Sequence, residues 1–280
     1  MLKKCSGLVI AYLLNHNNMK SKIAIVVPNY KPDLTAEEKI SLRHLSHYLN
    51  DFPQFAIQPV GLGKCLEGVE LREFPAHYFK NIKNYSKLLL SPEFYETFVE
   101  YDYVLIYQLD CLVFSDNLRS WCEMGYDYIG APLFEKESQP PRISRVGNGG
   151  LSLRRVQSFL NVLNTEHIPP WSAVLTANLP DLKKFPLPAR WSKKLRVIRD
   201  ARRGIEWYRT HYSLNEDLFW SDRAHLFHPN FKIAPSDIAL GFAFDAHPMT
   251  CFEQNNRQMP FGAHAWAKWN RDFWETYIYK

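Results

Sequence analysis

The chain has 280 residues, 46% of them apolar and 22% charged, which is enough for one large α/β domain with a packed core. Aromatic residues make up 15%; such rings fill cores and also stack on sugar rings and bases. The net charge of +5 is concentrated over residues 183–209, where ten Lys or Arg stand against Asp200 and Glu206, so the remainder is net negative. That distribution excludes a general nucleic-acid binder and points to a local anionic partner. Cys5, Cys65, Cys111, Cys122 and Cys251 show neither zinc-ligand spacing nor an even-numbered framework, as expected in a reducing, cytoplasmic compartment.

Residues 1–21 read as an N-terminal extension expected to be disordered. Its apolar run, Leu8 to Leu14, is too short to span a bilayer, and Asn15-His16-Asn17-Asn18 is a poor cleavage region, leaving Met19 as an alternative start. Residues 22–280 are expected to form one domain. Ile23 to Val27 is a short apolar run of the kind buried in parallel sheets, ended by Pro28-Asn29. Thr35 with Glu37 and Glu38 signals a helix start, and the helix should reach about Asn50. Strands are expected at Ala56 to Val60 and Val69 to Phe74, and helices at Asn81 to Leu90 and Pro92 to Val99. Tyr101 to Leu109 is the clearest strand of the chain. A short helix from Leu118 and a strand from Tyr126 to Ala131 follow. Gly147-Asn148-Gly149-Gly150 is expected to lead through Leu153 into a helix from Arg154 to Leu163. This alternation predicts a mostly parallel sheet with helices on both faces, with ligands at the carboxyl ends of its strands. Residues 169–209, rich in Pro, Trp and basic side chains, read as a basic helical insertion, and Asn215 to Asp222 as a helix.

Asp110 ends the strand Tyr101 to Leu109. An apolar strand has no packing need for a terminal carboxylate, and a carboxylate beside a cleft can hold a hard divalent cation. The competing explanation is a turn-initiating Asp. Glycines on both sides of Asn148 permit close approach of backbone to a ligand, although a loop needing positive φ would also use them. By position alone, Glu216 and Asp217 complement a helix dipole and Lys87 is a solvated lysine.

Taken together in this order, Tyr-Gln-Leu-Asp at residues 107–110, Gly-Asn-Gly-Gly at 147–150 and Asn-Glu-Asp at 215–217 resemble the GT-A (Rossmann-like) nucleotide-diphospho-sugar glycosyltransferases. In detail they resemble bacterial DUF5672-type sequences, over roughly Lys22 to Trp269. The family hallmark is Asp-x-Asp; here Gln108 replaces the first Asp. The resemblance implies a metal-dependent, inverting transfer of a sugar from a nucleotide-diphospho-sugar to a glycan or lipid-linked glycan acceptor of the O-antigen or capsule type. It assigns Asp110 and the late His264 to Mn²⁺ or Mg²⁺, with His favouring Mn²⁺. Asp217 becomes the base, with Glu216 holding or orienting the acceptor. Pro28, Asn29, Tyr30, Tyr85, Lys87, Gln108, Asn148, Gly149 and Gly150 become donor or acceptor contacts. Contact of residues 183–209 with an anionic membrane at its inner face is a further expectation. Two other readings remain: a binding module that has lost catalysis, favoured by Gln108, and a nucleotidyltransferase, disfavoured because the loop Pro28 to Pro32 has no glycine.

Overall fold

The computed structural model describes residues 21–135, 138–183 and 185–279, so the extension expected over residues 1–21 lies, but for Ser21, outside them. The first strand, β1 (Ile23–Pro28), is buried along its whole length. The helix α1 (Ala36–Tyr48) starts at Thr35, whose hydroxyl accepts from the Glu38 N–H at 3.2 Å while the Glu38 carboxylate accepts from the Thr35 N–H at 2.8 Å. This reciprocal cap satisfies two donors that a helix start leaves open. Thr35→Ala should cost about 1 kcal/mol of unfolding free energy, measured by urea denaturation; an unchanged midpoint would show the cap contributes nothing.

Two strands, β2 (Gln54–Pro59) and β3 (Glu70–Phe74), precede the helices α2 (Ile82–Leu89) and α3 (Pro92–Glu96), and then comes β4 (Tyr103–Tyr107). Next are β5 (Leu112–Val113), α4 (Leu118–Glu123), β6 (Tyr128–Gly130), β7 (Pro132–Phe134), β8 (Ile143–Val146), β9 (Leu151–Arg155) and α5 (Val156–Leu163). The basic stretch forms α6 (Trp171–Leu182), α7 (Leu187–Ala201) and α8 (Gly204–His211). The last third holds α9 (Glu216–Asp222), α10 (Ala224–Phe227), α11 (Ser236–Phe242), β10 (Ala243–Phe244), α12 (Pro248–Gln254), β11 (Gly262–Ala263) and α13 (Arg271–Glu275).

The main sheet has the order β3-β2-β1-β4-β9-β6, with β3, β2, β1 and β4 parallel and β9 antiparallel to both β4 and β6. It is the mostly parallel α/β sheet expected from the alternation of elements. Successive strand residues face opposite layers. Ala24, Val26, Val104 and Ile106 enter one core with Phe94, Phe159 and Trp220; Ile23, Ile25, Val27, Leu105 and Tyr107 enter the other with Leu45, Leu118 and Phe242. Both faces are therefore dry, which is why these strands read as continuous apolar runs.

One boundary differs from expectation. The glycine-rich segment leads into β9, and the helix begins at Val156 rather than at Arg154. Leu151 and Leu153 fill one core while Ser152 and Arg154 face the other layer, a two-residue period that a buried Arg conceals from a hydropathy reading.

A second, three-stranded sheet has the order β10-β11-β5. Its strands are two residues each, and Phe244 pairs with Ala263, which pairs with Leu112. Leu112, Phe244, Ala263, Trp266 and Trp274 form a third apolar cluster beneath it.

Candidate functional site

The small sheet sets the site's geometry. Asp245 directly follows β10, His264 directly follows β11, and Asp110 lies two residues before the antiparallel β5, so the register carries all three to one end. Backbone bonds fix the arrangement: His264 N–H donates to Phe244 O at 2.8 Å, Trp266 N–H to Asp110 O at 3.3 Å, and Gln108 N–H to Gly150 O at 3.1 Å.

The His264 ring divides its two nitrogens between different partners. Nδ1 lies 3.2 Å from Asp245 Oδ1, while Nε2 lies 3.2 Å from Gln108 Oε1 and 3.5 Å from Asp110 Oδ1. Burial opposes charge on this imidazole, but the bond to Asp245 and the carboxylates of Asp110, Asp245 and Asp217 outweigh it and raise its pKa. Asp245 is held from its other side, with Oδ2 accepting from Asn148 Nδ2 at 3.0 Å, and Asn148 Oδ1 accepts from its own loop at Gly150 N–H, 2.9 Å. A single chain of polar contacts therefore runs from the glycine-rich loop through Asn148 and Asp245 to His264.

Among the described residues, no three His, Cys, Asp or Glu side chains converge as a ready metal cage. The geometry explains this, since Asp245 occupies the far nitrogen of His264 and the third group on the near side is the amide oxygen of Gln108. Neighbouring donors to one cation at about 2.1 Å stand about 3 Å apart, close to the spacings observed around Nε2. Asp110, His264 Nε2 and Gln108 Oε1 thus form a mixed oxygen and nitrogen donor set suited to a divalent cation, and Asp245 fixes the ring's tautomer and direction.

Beside Asp110 and Gln108 opens a cavity of about 400 Å³, lined by Pro28, Asn29 and Tyr30 at the end of β1, by Tyr85 on α2, and by Lys31 and Lys80. Asn29 is 1% exposed, and neither end of its amide has a hydrogen-bond partner. The buried Tyr85 hydroxyl faces Gln108 without a hydrogen bond of ordinary geometry. Buried polar groups left open in this way are rare, and both sit at a strand-end cavity. Lys87 does not share this placement: it is exposed on α2 and lies outside the cavity lining. The helix period turns Lys87 away from Tyr85, and the lysines that reach the cavity come from the turns at 31 and 80.

On the other side of the loop, Asp217 and Glu216 begin α9. Their neighbour Gly149 has no room for a side chain, because a Cβ there would strike Glu216 Oε1 and press on Asp217 Cβ; at Gly150 it would strike the His264 ring. These glycines let the loop back pass directly between the two groups of side chains. Asp217 is partly buried, and burial raises its carboxyl pKa against the opposing pull of the Leu218 and Gly149 N–H groups. Glu216 is 5% exposed, and both its oxygens are bound by Arg154, at 2.8 and 3.0 Å. Burial disfavours the charge of both partners; it raises the Glu216 pKa, while the Glu216 carboxylate holds Arg154 protonated. Arg154 also donates to Tyr95 Oη at 3.0 Å. The expectation that Glu216 holds an acceptor is therefore revised: its carboxylate is consumed inside the protein as an anchor of α9.

Four residues of this region were not singled out from the sequence. Lys31 could have been, because it follows β1 by three positions. Asp245, Lys80 and Arg154 carry no comparable local signal; Asp245 follows a strand of only two residues. A wider groove of about 860 Å³ lies along the far side of α9, around Ser221, Asp222 and the paired Arg145, and none of the grouped residues lines it.

The family described as "Protein of unknown function (DUF5672)" matches residues 68–264, well over half of the chain. Comparison with curated proteins finds no match. Among solved structures, the chain is similar to an active-site mutant of LgtC at 13% identity and TM-score 0.44, with 86% of each chain covered. It is also similar to a glycosyltransferase involved in glycosylation of the major capsid of PBCV-1, at 10% identity and TM-score 0.42, covering 91% of this chain and 98% of that one. A third is the apo-form glycosyltransferase GlyE of Streptococcus pneumoniae, at 13% identity and TM-score 0.44, covering 93% of this chain and 61% of that one.

Proposed function

This chain belongs to the DUF5672 family, and we propose that it is a glycosyltransferase that moves a sugar from a nucleotide-diphospho-sugar to an acceptor hydroxyl, with inversion and with a divalent cation. The observation that carries this reading is the convergence of Asp110, Gln108 Oε1 and His264 Nε2 at the mouth of a cavity that ends in the unpartnered amide of Asn29. An open carboxylate, an imidazole and an amide oxygen suit Mn²⁺ or Mg²⁺, with the imidazole favouring Mn²⁺. When bound there, the cation supplies positive charge against the diphosphate as it leaves. Asn29, Tyr85 and Gln108 present hydrogen-bonding groups for the nucleoside, and Lys80 presents a cation on the cavity wall, where Lys31 is paired with Glu38 at 2.9 Å.

Asp217 acts across the glycine-rich loop from this cavity. Its carboxylate takes the proton of the acceptor hydroxyl as the oxygen forms its bond to the anomeric carbon, while the bond from that carbon to the diphosphate breaks on the opposite face. A base and leaving group on opposite faces give inversion. The acceptor class proposed is a glycan or lipid-linked glycan.

The experiment is calorimetry of nucleoside diphosphates with and without Mn²⁺. Wild type should bind one nucleotide more tightly with Mn²⁺, and Asp110→Ala should remove that gain. Asp245→Asn, which leaves the direct donors in place but loosens His264, should weaken Mn²⁺ affinity about 10-fold or more. Equal nucleotide affinity in wild type and Asp110→Ala in the presence of Mn²⁺ would sink the cation assignment. Gln108 in place of a second carboxylate favours one other reading, a nucleotide- or sugar-binding module without turnover. Slow donor hydrolysis that requires Mn²⁺ and stops with chelator would exclude it.

A further inference from the structure

We infer that α7 is a docking ridge for the surface of an anionic lipid bilayer. Leu187, Trp191 and Leu195 follow one another at four-residue intervals and are 70%, 68% and 67% exposed. At 1.5 Å per residue they draw an apolar line about 12 Å long on one side of the helix. A neighbouring side of the helix is already engaged: Val197 packs against the first core and Ala201 is buried in it. The outward line is therefore not a misplaced core face but a second apolar surface on the same helix.

The charges around the ridge identify its partner. Lys194 Nζ lies 4.9 Å from the Trp191 ring centre, and Lys193 Nζ lies 3.5 Å from that of Phe185, itself 37% exposed. Arg196 is exposed next to Leu195. Among the described residues no carboxylate pairs with Lys193, Lys194 or Arg196. Apolar and aromatic groups that project singly, with ammonium groups lying along them, match the boundary between acyl chains and anionic headgroups. There the rings enter the interface and the lysine heads remain at the phosphate level. No helix among the described residues is long and apolar enough to cross a membrane, so the contact is peripheral.

The ridge is rigidly connected to the site described above. Ile205 and Tyr208 of α8 are buried, Tyr208 and Tyr212 pack on Phe219 of α9 at ring distances of 6.2 and 5.5 Å, and Arg209 donates to Leu90 O at 3.3 Å. Docking through α7 would hold α9, and Asp217 with it, at a fixed disposition to the bilayer. The inference does not require that the chain transfer a sugar.

The test is co-sedimentation of the full chain with vesicles of equal parts phosphatidylcholine and phosphatidylglycerol, against vesicles of phosphatidylcholine alone, with no nucleotide or metal present. Wild type should pellet with the anionic vesicles only, and molar salt should release it. The triple variant Leu187→Ser, Trp191→Ser, Leu195→Ser should partition at least about 10-fold less, and so should Lys193→Gln, Lys194→Gln, Arg196→Gln. Because Leu187, Trp191, Leu195 and Arg196 are exposed and Lys193 and Lys194 are only half-buried, both variants should keep the wild-type melting temperature. Wild type left in the supernatant, or a triple variant that pellets as well as wild type, would overturn the inference. So would a wild-type dimer that becomes monomeric in the Ser variant, since a second copy would then be the ridge's partner.

Discussion

Asp217→Asn is expected to lower kcat by about 10²–10⁴-fold while nucleotide affinity in the presence of Mn²⁺ stays unchanged by calorimetry. The substitution keeps the shape of the side chain and the amide oxygen that accepts from the Leu218 N–H, now 2.7 Å away. It removes only the capacity to take a proton. Asp217 lies across Gly149 from the proposed cation donors and lines neither cavity, so binding should be spared. The same assignment fixes the sign of a pH dependence. Burial raises the Asp217 pKa above its ordinary 3.8, and transfer needs the carboxylate form. Turnover should therefore fall as pH drops through a pKa higher than that of an exposed aspartate, and this acid limb should be read from kcat at saturating donor. Near-normal turnover in Asp217→Asn would mean that the base lies elsewhere.

The second large effect concerns stability. Glu216→Ala leaves the Arg154 guanidinium, fully buried, without its carboxylate, and breaking a buried pair from one side costs about 3–5 kcal/mol. For a domain of this size that corresponds to a fall in melting temperature on the order of 10 °C. The double variant Arg154→Met, Glu216→Leu should recover much of the loss, because the charge left behind is the main penalty. Differential scanning calorimetry separates the outcomes. A single variant as stable as wild type would contradict the anchor role and return Glu216 to the acceptor side. The pair also bears on chemistry, because Glu216 is the residue next to Asp217 and its two bonds to Arg154 set where α9 begins.

The strands were readable because their physics is local. Five apolar residues closed by Pro28-Asn29, and the run Tyr101 to Leu109 closed by Asp110, are short apolar runs of the kind buried in a parallel sheet, and the second narrows to Tyr103–Tyr107 in the structure. Thr35 and Glu38 mark a helix start within four positions. The same locality made Asp110, Gly149 and Gly150 visible as candidates, since each interrupts its surroundings with a residue type that packing does not require, whereas His264 came only from the resemblance. β9 escaped because its face toward the α5 layer carries Ser152 and Arg154. An Arg inside a core is acceptable only with a carboxylate 62 positions away, and no window of sequence contains both.

Lys87 shows the opposite error. Its neighbourhood suggested a cleft lysine, but one helical turn decides which side of α2 faces the cavity, and that side belongs to Tyr85. Asp245 was out of reach for another reason. It becomes significant only through the pairing of three two-residue strands, and pairs that short have no sequence signature.

The sequence by itself determined the α/β class and where its main strands and first helix begin and end, because burial and helix capping are written within a few residues; the cation and base candidates came with the resemblance. Only the tertiary structure decided which of those residues meet. It brought His264 to Asp110, placed Asp245 behind it, withdrew Glu216 into a pair with Arg154, and split the basic helices into a buried face and an exposed ridge. Each of these contacts joins residues distant along the chain, and their meeting depends on strand register and on which charges the core can neutralise.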